Sequence, residues 1–393
     1  AFVVRALFGR GKRSERQEHT DRDARPEAGT PTLEHLALEV HTTAVGSHAV
    51  ETELAQLVSE GRRACLWSRI AIRVLLPLAS FPAPEERAYY EGVHAIDLDS
   101  VLTPKHTLIV SSACRSSRIT HTEYLNQLTK DAIVDRIRER HGSRPSVDKQ
   151  NPDVHLFAHL VKDEATLYLD LAGEPLHRRG YRAHSAEAPL KESLAAAVLR
   201  YSGWDRTSPF ADPMCGSGTL AVEAALWAKN VAPGLSRKRF GFERWASFDE
   251  AARREMSDLR EAARAAVLSS VPPVFGRDAS ERVLKLARGS ARAAEVDVSF
   301  EVGPLSDFEQ PSAGAVVLNP PYGKRLEAAL DLPRDLAKLV DRHPSSRVAL
   351  LMADDQAIGR TRRKPEPPRE VFNGNIACVV RVWPPKSGAS AIR

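Results

Sequence analysis

The chain has 393 residues, 42% hydrophobic and 27% charged, with a net charge of +5, which fits a soluble globular protein of two or three domains. Four scattered cysteines (Cys65, Cys114, Cys215, Cys378) offer no Cys-x-x-Cys pair, which excludes a zinc ribbon and a disulfide framework and suits a reducing compartment. No apolar run is long enough to span a membrane, and the opening "AFVVRALF" is too short for a signal-peptide core, so the expected location is cytoplasmic.

Residues 1–31 mix both charges with Gly, Pro and Thr and show no apolar period, the pattern of a disordered tail. Residues 32–172 hold a divergent N-terminal segment and then, from about 60, a pattern of mixed α and β. In "YLNQLTKDAIVDRIRERHG", Leu125, Leu128, Ala132, Ile133 and Ile137 share one helical face, and Gly142 ends the helix. In "DVHLFAHLVKDEATLYLDL", Val154, Leu156, Ala158 and Leu160 alternate, the chain turns at "KDEA", and Leu167, Leu169 and Leu171 resume the pattern as a hairpin. A polar linker, 173–189, carries "HRRGYR".

From 190 to 386 the rhythm becomes helix–strand–helix–strand. A helix in "LKESLAAAVLRYSGW" precedes a strand in "SPFADP", then the loop "MCGSG" and a helix "TLAVEAALWAKN". After a long insertion, 231–272, come a strand "PVFGRD", a helix "SERVLKLARGSARAAEV" and later a strand "AVVL". Strands alternating with helices predict a parallel, doubly wound sheet. The basic excess lies here too: residues 191–393 hold 31 Lys+Arg against 25 Asp+Glu. The clusters "HRRGYR" (177–182), "RKR" (237–239) and "RTRRK" (360–364) each read alone as solvated surface; together they open the reading of an anionic partner such as nucleic acid.

Ligands in open α/β sheets sit outside the carboxyl ends of the strands, and three unusual loops fall there. In "DPMCGSGTLAVEAA", Asp212 closes a strand and Gly216 and Gly218 let the backbone bend into a helix. Thr219 has no lysine before it, against a phosphate loop for ATP; "GSGTLA" does satisfy the dinucleotide fingerprint, but the acid at the next strand end, Asp278, lies far beyond the usual spacing. Asp278 is placed to accept both hydroxyls of a ribose, and "DASE" equally suits the start of a helix.

The third loop is "NPPYGKR". Two prolines cannot donate to a sheet ladder and fix the chain in a rigid elbow. The Asn319 side-chain oxygen and the Pro320 carbonyl are acceptors suited to an exocyclic amine, and Tyr322 offers a flat face for a planar group. A nucleoside site beside such a pocket describes methylation of a planar amine or amide from S-adenosylmethionine. Methylation at a pyrimidine C5 needs a cysteine nucleophile beside this elbow, and none is there; Cys215 lies in the glycine loop.

With these loops in place, the chain resembles the bacterial large-subunit ribosomal RNA guanine-N2 methyltransferases that carry a THUMP domain, in their first methyltransferase module only. The resemblance runs from about 64 to 384 and rests on "CLWSRIAIRVLLPL", "TKDAIVDRI", "LYLDLAGEPLHRRGYR", "APLKESLAAAVLRYSGW", "ADPMCGSGTL", "APGLSRKRFGFERW", "NPPYGKRL" and "VFNGNIACVV". It implies an α/β fold: a small α+β THUMP RNA-binding module, within 32–172, ahead of a Rossmann-like S-adenosylmethionine-dependent domain, 190–386. It implies that Asp212, Pro213, Gly216, Gly218, Thr219, Asp278 and Asn319 hold the cofactor. Asn319, Pro320 and Tyr322 would then grip and stack the guanine, with no metal. Ribosomal RNA is the expected partner, with tRNA, a protein glutamine, or RNA binding without catalysis as alternatives. The chain departs from the family after the third strand, where Gly303 and Pro304 stand in place of an acid and Asp307 is displaced.

Overall fold

The computed structural model describes residues 3–4, 47–182, 190–309, 314–321, 331–353, 358–374 and 376–386. Most of the 1–31 segment and Tyr322 lie outside them.

The N-terminal half builds one sheet. Its strands are β1 (Val3–Val4), β2 (Val74–Pro82), β3 (Thr107–Arg115), β4 (Ser146–Val147), β5 (Val154–Val161) and β6 (Glu164–Asp170), in the order β1-β2-β6-β5-β3-β4. Helices α1 (Ser47–Trp67), α2 (Glu86–His94) and α3 (Thr122–His141) accompany them. The predicted helical face is buried in α3: Leu125, Ala132, Ile133 and Ile137 all lie inside, and Gly142, at φ +73°, closes the helix by donating to the Arg138 carbonyl. The β5–β6 hairpin is tighter than "KDEA" suggests. Only Lys162 and Asp163 turn, at φ +54° and +60°, and Glu164 already pairs with Val161. Two central residues at positive φ match the right-handed twist of the flanking strands.

The C-terminal half builds a second sheet from β7 (Phe210–Asp212), β8 (Val274–Asp278), β9 (Ser299–Val302), β10 (Ala315–Leu318), β11 (Arg347–Ala353), β12 (Arg369–Asn373) and β13 (Ile376–Trp383). Their order is β12-β13-β11-β10-β7-β8-β9, and β7 through β11 run parallel while β13 is antiparallel to β11. Helices α4 (Glu192–Ser202), α5 (Thr219–Ala228) and α7 (Glu281–Ala293) cover one face, and α8 (Leu332–Arg342) covers the other. Each central strand is therefore apolar on both sides. In β10, Ala315 and Val317 join one cluster while Val316 and Leu318 join the other.

The insertion between α5 and β8 does not stay with the second sheet. It holds α6 (Glu250–Ala265), and its Phe240, Phe242, Trp245, Phe248, Ala252 and Met256 belong to the same buried cluster as Leu66, Tyr89, Leu108 and Leu125 of the N-terminal half. The contact is drawn tight by two glycines. A Cβ on Gly241 would stand 2.8 Å from both the Cα and the N of Gly173. Backbone bonds from Gly241 N–H to the Ala172 carbonyl (3.1 Å) and from Phe242 N–H to the Leu171 carbonyl (3.1 Å) lock the crossing.

Candidate active site

Strand β7 lies between β8 and β10, so the loops after these three parallel strands are neighbours at the carboxyl end of the sheet. This is the point where the chain order reverses, and the crevice there is the usual ligand position of such sheets. Asp212 and Asp278 are the last residues of β7 and β8, and Asn319 follows the last residue of β10.

Backbone bonds tie the first two loops together. Cys215 N–H donates to the Arg277 carbonyl (2.8 Å), Gly218 N–H to the Cys215 carbonyl (2.8 Å), and Gly216 N–H to Asp278 Oδ2 (2.9 Å). Both loop glycines take positive φ, +53° at Gly216 and +82° at Gly218, but for different reasons. A Cβ at Gly218 would stand 2.9 Å from the Cβ of Ala287 on α7, whereas one at Gly216 would meet nothing within 4 Å. Gly218 is needed for helix packing; Gly216 leaves open space beside two acids.

Asp212 is 2% exposed, and its Oδ1 accepts from Met214 N–H at 3.2 Å. Burial holds its carboxyl well above the usual carboxylate range; the Met214 bond opposes this and the charge of Asp278 adds to it. Burial likewise pushes the Cys215 thiol up, with Asp212 and Asp278 adding to the effect, which disfavours the reactive thiolate. Asp278 uses Oδ1 to accept from Ser280 N–H at 2.9 Å. One side chain therefore anchors the glycine loop with one oxygen and the start of α7 with the other. Pro213 is buried. Thr219 opens α5 with its hydroxyl accepting from Arg182 Nη2 at 2.8 Å.

At the elbow, Pro320 is buried. The Asn319 side-chain oxygen is buried too and accepts no hydrogen bond among the described residues. Tyr322 lies outside them. After β9, Gly303 N–H donates to the Asp278 carbonyl at 3.0 Å, and Pro304 follows. Asp307 is exposed and accepts from the Ser306 hydroxyl at 2.7 Å. The structure thus brings Asp212, Pro213, Gly216, Gly218, Thr219, Asp278, Asn319 and Pro320 to the carboxyl end of the sheet.

Two of the basic clusters prove to be structural at their centres. Arg179 is 3% exposed; it pairs with Glu223 on α5 (3.1 Å) and donates to the Arg69 carbonyl (2.6 Å). The Tyr181 hydroxyl donates to the same carboxylate at 3.0 Å. Arg363, 6% exposed, donates to the carbonyls of Val340, His343, Ser346 and Trp383. Glu223 carried the missed signal: a lone acid in the otherwise apolar "TLAVEAALWA" needs a buried cation.

Comparison with known proteins agrees with this architecture. The profile of the RMKL-like methyltransferase domain family (UPF0020) matches residues 179–381, and the THUMP domain profile matches residues 85–170. The ribosomal RNA large subunit methyltransferase K/L of Syntrophotalea carbinolica is 43% identical over 74% of this chain and 42% of its own length. That of Pseudomonas paraeruginosa is 42% identical over 76% of this chain and 43% of its own length. The chain thus spans less than half the length of these curated relatives. Among solved structures, the methyltransferase-like SMU.472, crystallised with SAH, superposes with a TM-score of 0.73 at 28% identity, covering 86% of this chain and 95% of that one.

Proposed function

The chain belongs to the family of RMKL-like methyltransferase domains, and from that premise we propose that it methylates the N2 amine of a guanine in RNA, with large-subunit ribosomal RNA as the first substrate to test. The observation that carries this reading is the buried, unpartnered Asn319 oxygen at the end of β10. A buried acceptor left without a donor is costly, and an exocyclic amine would satisfy it. With the Pro320 carbonyl beside it, the two acceptors would draw both amine hydrogens and aim the nitrogen lone pair outward. Tyr322 would stack on the base, a contact of about 1–3 kcal/mol.

S-adenosylmethionine fits the residues at the neighbouring strand ends. Asp278 spends one acceptor site of each oxygen on the backbone and keeps the remainder for the two ribose hydroxyls. Asp212, buried without a cation, would offer its carboxylate to the positively charged end of the cofactor. The open ground beside Gly216 lets a ligand approach the backbone. When bound, the cofactor supplies an electrophilic methyl group, so the protein's share of the work is to hold and orient. The THUMP module would hold the RNA.

The test is methyl transfer from labelled S-adenosylmethionine to large-subunit rRNA and, in parallel, tRNA from cells lacking the corresponding activity, with nucleosides identified by mass spectrometry. N2-methylguanosine in rRNA, lost with Asp278→Ala, is the expected result. Label appearing on tRNA alone, or on another base, would overturn the substrate or the position.

A further inference from the structure

Where the linker, the N-terminal module and the insertion meet, the crossing of Gly173 and Gly241 floors a cavity of about 220 Å³. Its walls come from residues 149–155, 172–178 and 237–244, none of which lies in the strand-end loops. Five cations line it, Lys149, Arg178, Arg237, Arg239 and Arg244, against the single carboxylate of Glu174.

Backbone carbonyls hold Arg237 and Arg244, while Arg178 pairs with Glu174 at 3.4 Å. Arg244 donates to the carbonyls of Asn151 (2.8 Å) and Pro152 (2.7 Å) and pairs with Asp153 at 2.9 Å. Arg237 donates to the carbonyls of Ala172 and Pro175, and burial lowers its pKa from the ordinary arginine value. A partly buried guanidinium fixed by carbonyls keeps its positive charge and gains from an arriving anion. Lys149 and Arg239 are exposed at the rim, and neither is paired with a carboxylate among the described residues. Pinned guanidiniums inside and free cations outside form a built receptor for an oxyanion rather than a solvated face.

We propose that this junction pocket binds a phosphodiester of the RNA substrate, so that one contact reads the relative seating of the THUMP module and the methyltransferase insertion. The inference rests on the RNA reading above. An RNA backbone is favoured over a small free anion because the cations continue from the cavity onto the exposed rim, along which a polyanion can run.

The test is the double variant Lys149→Glu, Arg239→Glu in the full chain, two exposed positions that hold no core contact. Binding of a large-subunit rRNA fragment is followed by fluorescence anisotropy across a salt series. Unchanged melting temperature and S-adenosylhomocysteine affinity certify the fold. The variant is expected to bind RNA about tenfold or more weakly at moderate salt, with the slope of log affinity against log salt reduced by about 1–2. Equal RNA affinity and equal slope in the two proteins would overturn the pocket and leave the proposed function standing. Pyrophosphate is titrated into both proteins as well, and loss of its binding in the variant with RNA binding unchanged would overturn the proposal in favour of a free-anion site. An intact protein that binds no RNA would remove the substrate reading itself.

Discussion

At the strand ends, the chain fixes the loops after β7 and β8 with hydrogen bonds from backbone N–H groups and leaves side-chain oxygens of Asp278 and Asn319 with capacity to spare. At the junction it does the reverse: backbone carbonyls are spent on holding guanidiniums, and the free valence is positive charge. The first arrangement suits a neutral or cationic ligand that must be oriented to a fraction of an ångström. The second suits a polyanion that must be held but need not be precisely aimed. Under the two proposals, chemistry falls to the carboxyl end of the second sheet and grip to the seam between the two modules.

The largest effect expected from breaking this contrast is on the rate. Asn319→Ala removes the acceptor proposed for the reacting amine, and methyl transfer should fall by about 10²-fold or more, while RNA affinity measured by anisotropy stays within a few-fold. An equal loss of both would mean that the elbow holds the RNA rather than orienting it. Next in size is Gly241→Val, which drives a branched side chain into the backbone of Gly173. Overpacking of this kind costs about 1–3 kcal/mol. It should lower Tm by several degrees and weaken RNA binding more than S-adenosylhomocysteine binding, whereas an unchanged Tm would show that the seam is loose.

The smallest effect is a proton. Asp212 has a folded pKa raised by burial, so its ionisation penalty is absent below pH about 4 and grows as pH rises toward the folded value. A cationic ligand lowers that pKa again. Cofactor binding should therefore release protons, seen as a calorimetric enthalpy that depends on the buffer's own ionisation enthalpy. Asp212→Asn should abolish that dependence and gain stability at pH 8 relative to pH 4. An enthalpy independent of buffer in the intact protein would place Asp212 away from the ligand's charge.

The strand-end site was legible because its makers are local. Glycines at Gly216 and Gly218, acids at the ends of β7 and β8 and a double proline at Pro320 and Pro321 have conformational demands that show in a few residues of sequence. The alternating strands of the second sheet were legible for the same reason. The seam was not. Gly173 and Gly241 meet across a long stretch of chain, and neither has a pattern of its own. Arg179 and Arg363 look like surface charge in "HRRGYR" and "RTRRK" although they sit in the interior. Charge in a string of letters does not say which way a side chain faces; only a partner such as Glu223 does, and that partner lies on another element.

The shared N-terminal core also has a consequence for how the protein is made. Residues up to Leu176 leave the ribosome with part of their apolar surface uncovered, because Phe240, Phe242, Trp245 and Met256 have yet to be synthesised. At roughly 5–20 residues per second, the nascent module waits several seconds for its missing wall. During that interval it is a client for whatever shields exposed apolar chains in the cell.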